Sequence, residues 1–239
     1  MSTHIPISSD QNNWWQKGRL LYLKKLIKKY LNREDLEILE IGPGFGLNIN
    51  QLSNFGELDV VEVEEFFRNH LEESSKLSIN NVYENIFLVE NREYDLIVLL
   101  DVLEHISEDE LTTFVEKIYK LLKNDGIVIV SVPAYESLFS RMDKNVGHFR
   151  RYSWKLLDEH LRINFKIIHK FGFNYFLLLV RFLQIKLFKN PKEELETSPI
   201  LNSLLYIVLY IEYLLYILRI RPRFGLSFFA ILVSKKVIV

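Results

Sequence analysis

The run at residues 36–46, LEILEIGPGFG, constrains this chain more than any other stretch. Six residues of strand-type sequence lead into glycines at alternate positions, Gly42, Gly44 and Gly46. A turn this rich in glycine takes positive φ or brings backbone close to a ligand, where a Cβ would collide. Glu40 stands at the strand end, where its carboxylate can accept a hydrogen bond from an ammonium group. Pro43 stiffens the turn, and the GxGxG spacing differs from the GxGxxG that seats a dinucleotide pyrophosphate on a helix N-terminus. The segment therefore predicts a cofactor cradle of a nucleotide type.

Around that turn, strand-like apolar runs alternate with amphipathic helix patterns, the signature of a parallel α/β sheet. LDVVEVEE (58–65) is a second strand ending near Glu62 or Glu64, and YDLIVLLD (94–101) is a central strand covered on both faces. Ser107 and Glu110 form a capping box ahead of a helix whose buried face carries Leu111, Phe114, Val115, Ile118 and Leu122. Gly126 is expected to end that connection before the strand IVIVSVP (127–133). At 239 residues, with 49% hydrophobic and 26% charged, the chain can bury a full core. Having no cysteine, it has neither disulfides, nor thiolate zinc sites, nor a cysteine nucleophile, so its chemistry rests on oxygen and nitrogen groups. Residues 1–10 lack the apolar core of a secretory signal, which predicts a cytoplasmic amino end.

A carboxylate at the end of the second strand can accept both hydroxyls of a ribose, and Glu62 holds that place with Glu64 as the fallback. After the fourth predicted strand comes DVLEHI (101–106), and after the fifth comes GHFRRY (147–152). Together with the glycine turn, these segments resemble class I S-adenosylmethionine-dependent methyltransferases, specifically a subgroup with DVLEH and GHxRRY segments. The resemblance implies a Rossmann-like, mostly parallel seven-stranded sheet with helices on both faces, and S-adenosylmethionine as the cofactor. It assigns cofactor contacts to Glu40, Gly42, Gly44, Gly46, Glu62 and Asp101, with Glu84 and Asn85 at the adenine. Paired tryptophans and an arginine before the first helix also fit the subgroup, so Trp15 and Arg19 are expected to close over the cofactor, the arginine meeting its carboxylate. His105 and His148 are the candidate bases. Arg150, Arg151 and Tyr152 suit an acceptor carrying phosphate or carboxylate, or else tie their loop to nearby acids. No acidic or histidine cluster with metal-ligand spacing is evident, and no metal is expected.

The carboxyl third is unusually apolar. FNYFLLLVRFLQIKLF (173–188) and ILNSLLYIVLYIEYLLYILRI (200–220) flank the polar linker NPKEELETSP (190–199). The second run is long enough to span a bilayer, yet Glu212 lies in its middle and the strand-like FGLSFFAILVSKK (224–236) must return to the same sheet. The reading is a helical hairpin that rests on a membrane through residues 175–220, forms a homodimer face, or is core. The formal net charge of −1 hides an asymmetry: residues 1–33 hold seven Lys or Arg against Asp10 alone, and residues 141–189 hold eleven against three acids. Basic flanks of this kind face anionic lipid, a phosphorylated substrate, or solvent; nucleic acid is not expected as a partner.

The expected organisation is a helical lid at 1–33, a cofactor-binding core at 34–174, an apolar helical insertion at 175–224, and a last strand at 225–239. The expected activity is methyl transfer to a small or lipid-linked acceptor, with an oxygen acceptor favoured, in the cytoplasm or at its membrane surface. Two other classes stay open: an inactive cofactor-binding regulatory or scaffold protein that uses the apolar insertion for a partner, and a dinucleotide-dependent oxidoreductase, which the glycine spacing disfavours.

Overall fold

The computed structural model describes residues 13–74, 76–187 and 198–237. The amino end and most of the polar linker lie outside the described residues. Helix α1 (Trp14–Tyr30) comes first, with the Asn13 side chain accepting from Trp15 N at 2.9 Å as its N-cap. Alternation then follows as the hydrophobic pattern demands: β1 (Leu36–Ile41), α2 (Ile49–Leu52), β2 (Gly56–Val61), α3 (Glu65–Glu73), β3 (Asn81–Tyr83), β4 (Tyr94–Leu100), α4 (Glu108–Leu121) and β5 (Leu122–Pro133). The second half adds α5 (Arg141–Asn145), α6 (Trp154–Leu161), β6 (Phe165–Phe173), α7 (Leu178–Leu187), α8 (Pro199–Ile217) and β7 (Ser227–Ser234).

The seven strands form one sheet in the order β3-β2-β1-β4-β5-β7-β6. All neighbouring pairs are parallel except those made by β7, which runs antiparallel to β5 and β6. This is the expected Rossmann-like sheet, with an apolar helix ahead of the last strand. Because β1 and β4 lie side by side while the chain winds outward in opposite directions from them, a crevice opens at their carboxyl ends, where ligands bind in open α/β sheets.

All seven residues of β4 are buried, and its alternating side chains feed two cores. Ile97 and Leu99 pack with Leu111, Phe114, Val115 and Ile118 of α4 on one face. Leu96, Val98 and Leu100 join Tyr22, Leu23, Leu26 and Ile27 of α1 and Leu209 and Tyr216 of α8 on the other. Two local expectations change. The Ser107 hydroxyl donates to Glu110 Oε2 at 2.7 Å and caps no backbone group. Gly126 lies inside β5, since α4 passes directly into that strand at Leu122; a Cβ at Gly126 would come within 2.9 Å of the Tyr94 carbonyl oxygen.

The apolar helix α8 takes α1 as its packing partner. Gly18 admits Leu209, whose Cδ1 would lie 2.3 Å from a Cβ there. The Tyr22 ring meets Tyr213 and Tyr216 at 5.4 and 5.1 Å, and Trp14 N donates to Asn202 Oδ1 at 2.8 Å. The approach to α7 is tied down by Glu212, whose Oε1 accepts from Phe176 N at 2.8 Å. The two apolar helices thus connect through this carboxylate, whereas the body of α8 leans on the first helix of the chain.

Candidate functional site

The turn after β1 uses its glycines as the sequence requires, with φ of +69° at Gly42, +56° at Gly44 and +72° at Gly46. At Gly42 and Gly46 an added Cβ would meet Val102, Ile49 and Leu71 side chains at 2.8–2.9 Å, whereas at Gly44 it would meet nothing within 4 Å. Gly44 therefore faces the open crevice, and its N–H donates to Glu62 Oε2 at 2.9 Å. Glu62 stands immediately after β2 and is buried; its other oxygen accepts from Glu64 N at 3.0 Å. Burial pushes its carboxyl up, against the pull of those two N–H groups. Glu64, the fallback, is exposed.

Glu40 is fully buried at the end of β1, with Oε2 lacking any partner. Burial raises its carboxyl to about 7, although the Asn48 hydrogen bond and the Arg19 charge pull it down. From its other oxygen a relay of side chains runs across the crevice floor. Asn48 Nδ2 donates to Glu40 Oε1 at 2.6 Å, and Gln16 Nε2 donates to Asn48 Oδ1 at 2.6 Å. Arg19 then donates to Gln16 Oε1 and to Asp101 Oδ2, both at 2.7 Å, and Ser131 Oγ donates to Asp101 Oδ1 at 2.9 Å. Asp101 holds φ of +59°, a strained position that directs it over the end of β4. Arg19 Nε is buried and unpartnered. Sequence reasoning found Glu40, Arg19 and Asp101 but missed Gln16 and Asn48, whose amides join them; nothing local marks two such residues 32 positions apart.

The remaining predicted cofactor residues divide. Glu84 and Asn85 follow β3, next to Glu62, whose N–H donates to Tyr83 O at 2.9 Å. Glu84 is exposed and 4.0 Å from Arg68, and Asn85 Oδ1 accepts from Phe87 N at 2.9 Å. Trp15 meets Phe173 edge-on at 4.9 Å, one residue from Gln16, so it packs against the carboxyl end of β6.

On the other side of Asp101 the two histidines meet. The rings of His105 and His148 lie 4.6 Å apart and nearly perpendicular. His148 Nδ1 is 2.9 Å from Asp143 Oδ1; a carboxylate only accepts, so Nδ1 carries a proton, and in the neutral ring Nε2 is the acceptor nitrogen. Burial alone would raise Asp143, but the His148 bond and the Arg151 guanidinium hold its carboxyl well below the usual carboxylate range. His148 Nε2 points towards Glu104 Oε1 at 4.0 Å. Glu104 is wholly buried with both oxygens unpartnered, and burial, reinforced by the Asp101 charge, raises it well above an ordinary glutamate. The fold thereby brings Glu104, His105 and His148 together, with potential ligand atoms within 4.8 Å of one another, a grouping their spacing in sequence did not suggest.

Arg150, Arg151 and Tyr152 direct polar groups into their own chain. Arg150 donates to Ile106 O at 2.7 Å and pairs with Glu108 at 3.2 Å, Arg151 Nε donates to Asp143 Oδ1 at 2.8 Å, and the buried Tyr152 hydroxyl donates to Leu103 O at 3.2 Å. Phe149 N closes the loop onto Glu104 O at 2.8 Å. The GHFRRY segment is thus strapped onto the DVLEHI turn, which holds the histidine pair in place.

A buried carboxylate with one unpartnered oxygen, an unpartnered guanidinium nitrogen, and a glycine facing open space fit the ammonium, the carboxylate and the close approach of an amino-acid moiety, and Glu62 fits a ribose. This sheet order with this cradle defines the class I S-adenosylmethionine-dependent methyltransferase architecture, and S-adenosylmethionine is the cofactor its donor set suits. The chain belongs to the methyltransferase domain family, whose model matches residues 15–171. It is 28% identical over 138 residues to a protein named ubiquinone biosynthesis O-methyltransferase of Rickettsia bellii, covering 50% of this chain and 57% of that one. It is 28% identical over 149 residues to an uncharacterized protein of Methanocaldococcus jannaschii, covering 61% and 54%. The chain spans about half the length of the curated relatives it matches. Among solved structures, the N-methyltransferase NodS of Bradyrhizobium japonicum in complex with S-adenosyl-L-homocysteine shares the fold at a TM-score of 0.59 and 12% identity, covering 94% of this chain and 89% of that one. A SAM dependent methyltransferase from Archaeoglobus fulgidus does so at 0.57 and 17%, covering 92% and 97%.

Proposed function

We propose that this protein transfers a methyl group to a hydroxyl of a small or lipid-linked acceptor, and that it belongs to the subgroup marked by DVLEH and GHxRRY. Bound S-adenosylmethionine supplies an electrophilic methyl on its sulfonium. In this reading Glu40 holds the ammonium and Arg19 the carboxylate of that cofactor, the turn at Gly42, Gly44 and Gly46 gives it room, Glu62 holds its ribose, and Glu84 and Asn85 flank its adenine. Helix α1 acts as the lid, its Gln16 and Arg19 completing the relay across the crevice; residues 1–12 of the expected lid at 1–33 lie outside the described residues.

The observation that carries the oxygen acceptor is the Asp143-oriented His148, whose ring lies 4.6 Å from that of His105 in the turn that follows Asp101. His148 Nε2 takes the acceptor hydroxyl proton, and Asp143 stabilises the imidazolium that results. His105 closes the pocket edge-on. Arg150, Arg151 and Tyr152 act as positioning residues that hold this loop. The name of the Rickettsia bellii relative adds support for an oxygen acceptor such as a quinone precursor, and a polyprenyl-linked sugar has the same chemistry.

The test is transfer from methyl-labelled S-adenosylmethionine into membrane and soluble extracts of the native cells. Label in solvent-extractable lipid supports the lipid-linked acceptor, and label in small soluble molecules replaces it with a soluble one. Cofactor binding with no label in either sinks the enzyme reading in favour of a regulatory protein. His148→Gln should lower kcat by roughly 100-fold at unchanged cofactor affinity, and Asp143→Asn should lower it partway; full activity in His148→Gln would remove the base. Activity lost to a chelator and restored by a divalent ion would instead make Glu104, His105 and His148 metal ligands.

A further inference from the structure

We infer that the outer face of α8, with the basic edge beside β6, is a docking surface for an anionic lipid bilayer. Docking stands apart from the proposed chemistry and is read without it. Helix α8 buries one narrow stripe, Leu209, Glu212 and Tyr216, against α1 and the sheet. Opposite that stripe, Ile200, Leu204, Ile207, Ile211, Leu214 and Leu218 are all exposed, at 43–76%. A helix of 19 residues is about 28 Å long, so this apolar row is continuous over that length. Among the described residues α8 alone is long and apolar enough to cross a membrane, but its inward stripe includes a buried carboxylate and it leads into β7 of the central sheet. Those attachments make it lie along a surface, not through it.

The row repeats every three to four residues, which also suits pairing with a second copy. Two features favour lipid. First, the positions flanking the row are apolar too, Leu201, Val208 and Leu215 on one side and Tyr210 and Ile217 on the other, whereas a helix-pair seam carries charged flanks that set the partner. Second, the surface is cationic and lacks its own complement. The one acid between residues 198 and 224 is the buried Glu212, while Arg219 and Arg223 are exposed at the end of α8. Arg223 continues into a cleft along β6 lined by Arg162, Lys166, Lys170 and Lys235, with Asp158 as its acid. A second copy paired through the same 198–224 face brings no carboxylate to Arg219 and Arg223 other than the buried Glu212, whereas lipid phosphates meet them directly. The start of α7 adds exposed Phe176, Leu179 and Val180 at the carboxyl end of β6. Trp15, next to Gln16 of the relay, packs on Phe173 at the same end of β6, so docking there brings the crevice close to the lipid interface.

The test is cosedimentation of the full chain, without cofactor, with phosphatidylcholine vesicles containing or lacking phosphatidylglycerol. The protein should sediment with the anionic vesicles and release as salt is raised. Replacing Ile207, Ile211 and Leu214 together by Gln should reduce binding at least tenfold, and Arg219→Ala and Arg223→Ala should each reduce it roughly fivefold. Unchanged S-adenosylhomocysteine affinity verifies that each variant is folded. Absence of sedimentation, or sedimentation that the glutamine variant retains, overturns the inference. A dimer that the glutamine variant dissolves, without vesicle binding, assigns the face to a second copy. Vesicle binding with no methyl transfer into any extract overturns the proposed function alone.

Discussion

Glu40 is an acid kept where acids are costly. Its carboxyl titrates at about 7 because burial outweighs the Asn48 bond and the Arg19 charge. Only the ionised form can pair with an ammonium, so cofactor affinity should rise by roughly tenfold between about pH 6 and about pH 8. Isothermal titration with S-adenosylhomocysteine across that range checks this, and Glu40→Gln should bind weakly with a flat profile. A wild-type profile as flat as the variant's would place the ammonium elsewhere. At this scale the sequence showed which groups carry charge but not which groups hold them. Glycine spacing and strand-end acids are local signals, and Gly42, Gly44, Gly46, Glu62 and Asp101 all lie at the crevice. The amides of Gln16 and Asn48, and the Asp143 behind His148, act through hydrogen bonds made only once the chain has folded.

Among the elements, β1, β4 and α4 were legible because each repeats one pattern over its whole length: a buried run, or one apolar face. Helix α8 was legible as apolar but not as the partner of α1, since an all-round apolar helix does not declare which side is inward. Its inward side is shown by Glu212, which accepts from Phe176 N. Burial raises that carboxyl to about 7, with the backbone N–H groups of residues 174–176 opposing. A folded value above the unfolded one means the protonated form is the favoured one. The associated stability is whole below the ordinary glutamate range and is lost as pH rises through about 7, amounting to roughly 1–3 kcal/mol. Urea unfolding at about pH 5 and about pH 8 should show that loss, and Glu212→Gln should remove this part of it. A variant with the full wild-type slope would shift the dependence to Glu40 and Glu104, whose carboxyls are raised as well.

At the scale of the whole molecule, one helix, α1, touches both the cofactor crevice and the apolar helix α8. Gln16 and Arg19 reach the crevice from the same helix whose Gly18 and Tyr22 receive α8. Binding that orders the relay should therefore steady α8 as well, and S-adenosylhomocysteine should slow amide hydrogen exchange at residues 209–216, away from the crevice. Exchange slowed only around the glycine turn would show that α1 transmits nothing. The overall architecture was legible from the patterned runs that form β1, β2, β4, β5 and β7 together with the resemblance that implies seven strands, while β6 carried no signal that was read and the assembly of α1 with α8 depends on groups such as Trp14 and Asn202 at a separation of 188 residues. That separation has a consequence for how the protein is born. Trp14 leaves the ribosome 188 residues ahead of Asn202, and joining segments so distant is slow relative to local folding. A growing chain thus exposes the side of α1 that carries Gly18 and Tyr22 until α8 emerges to cover it.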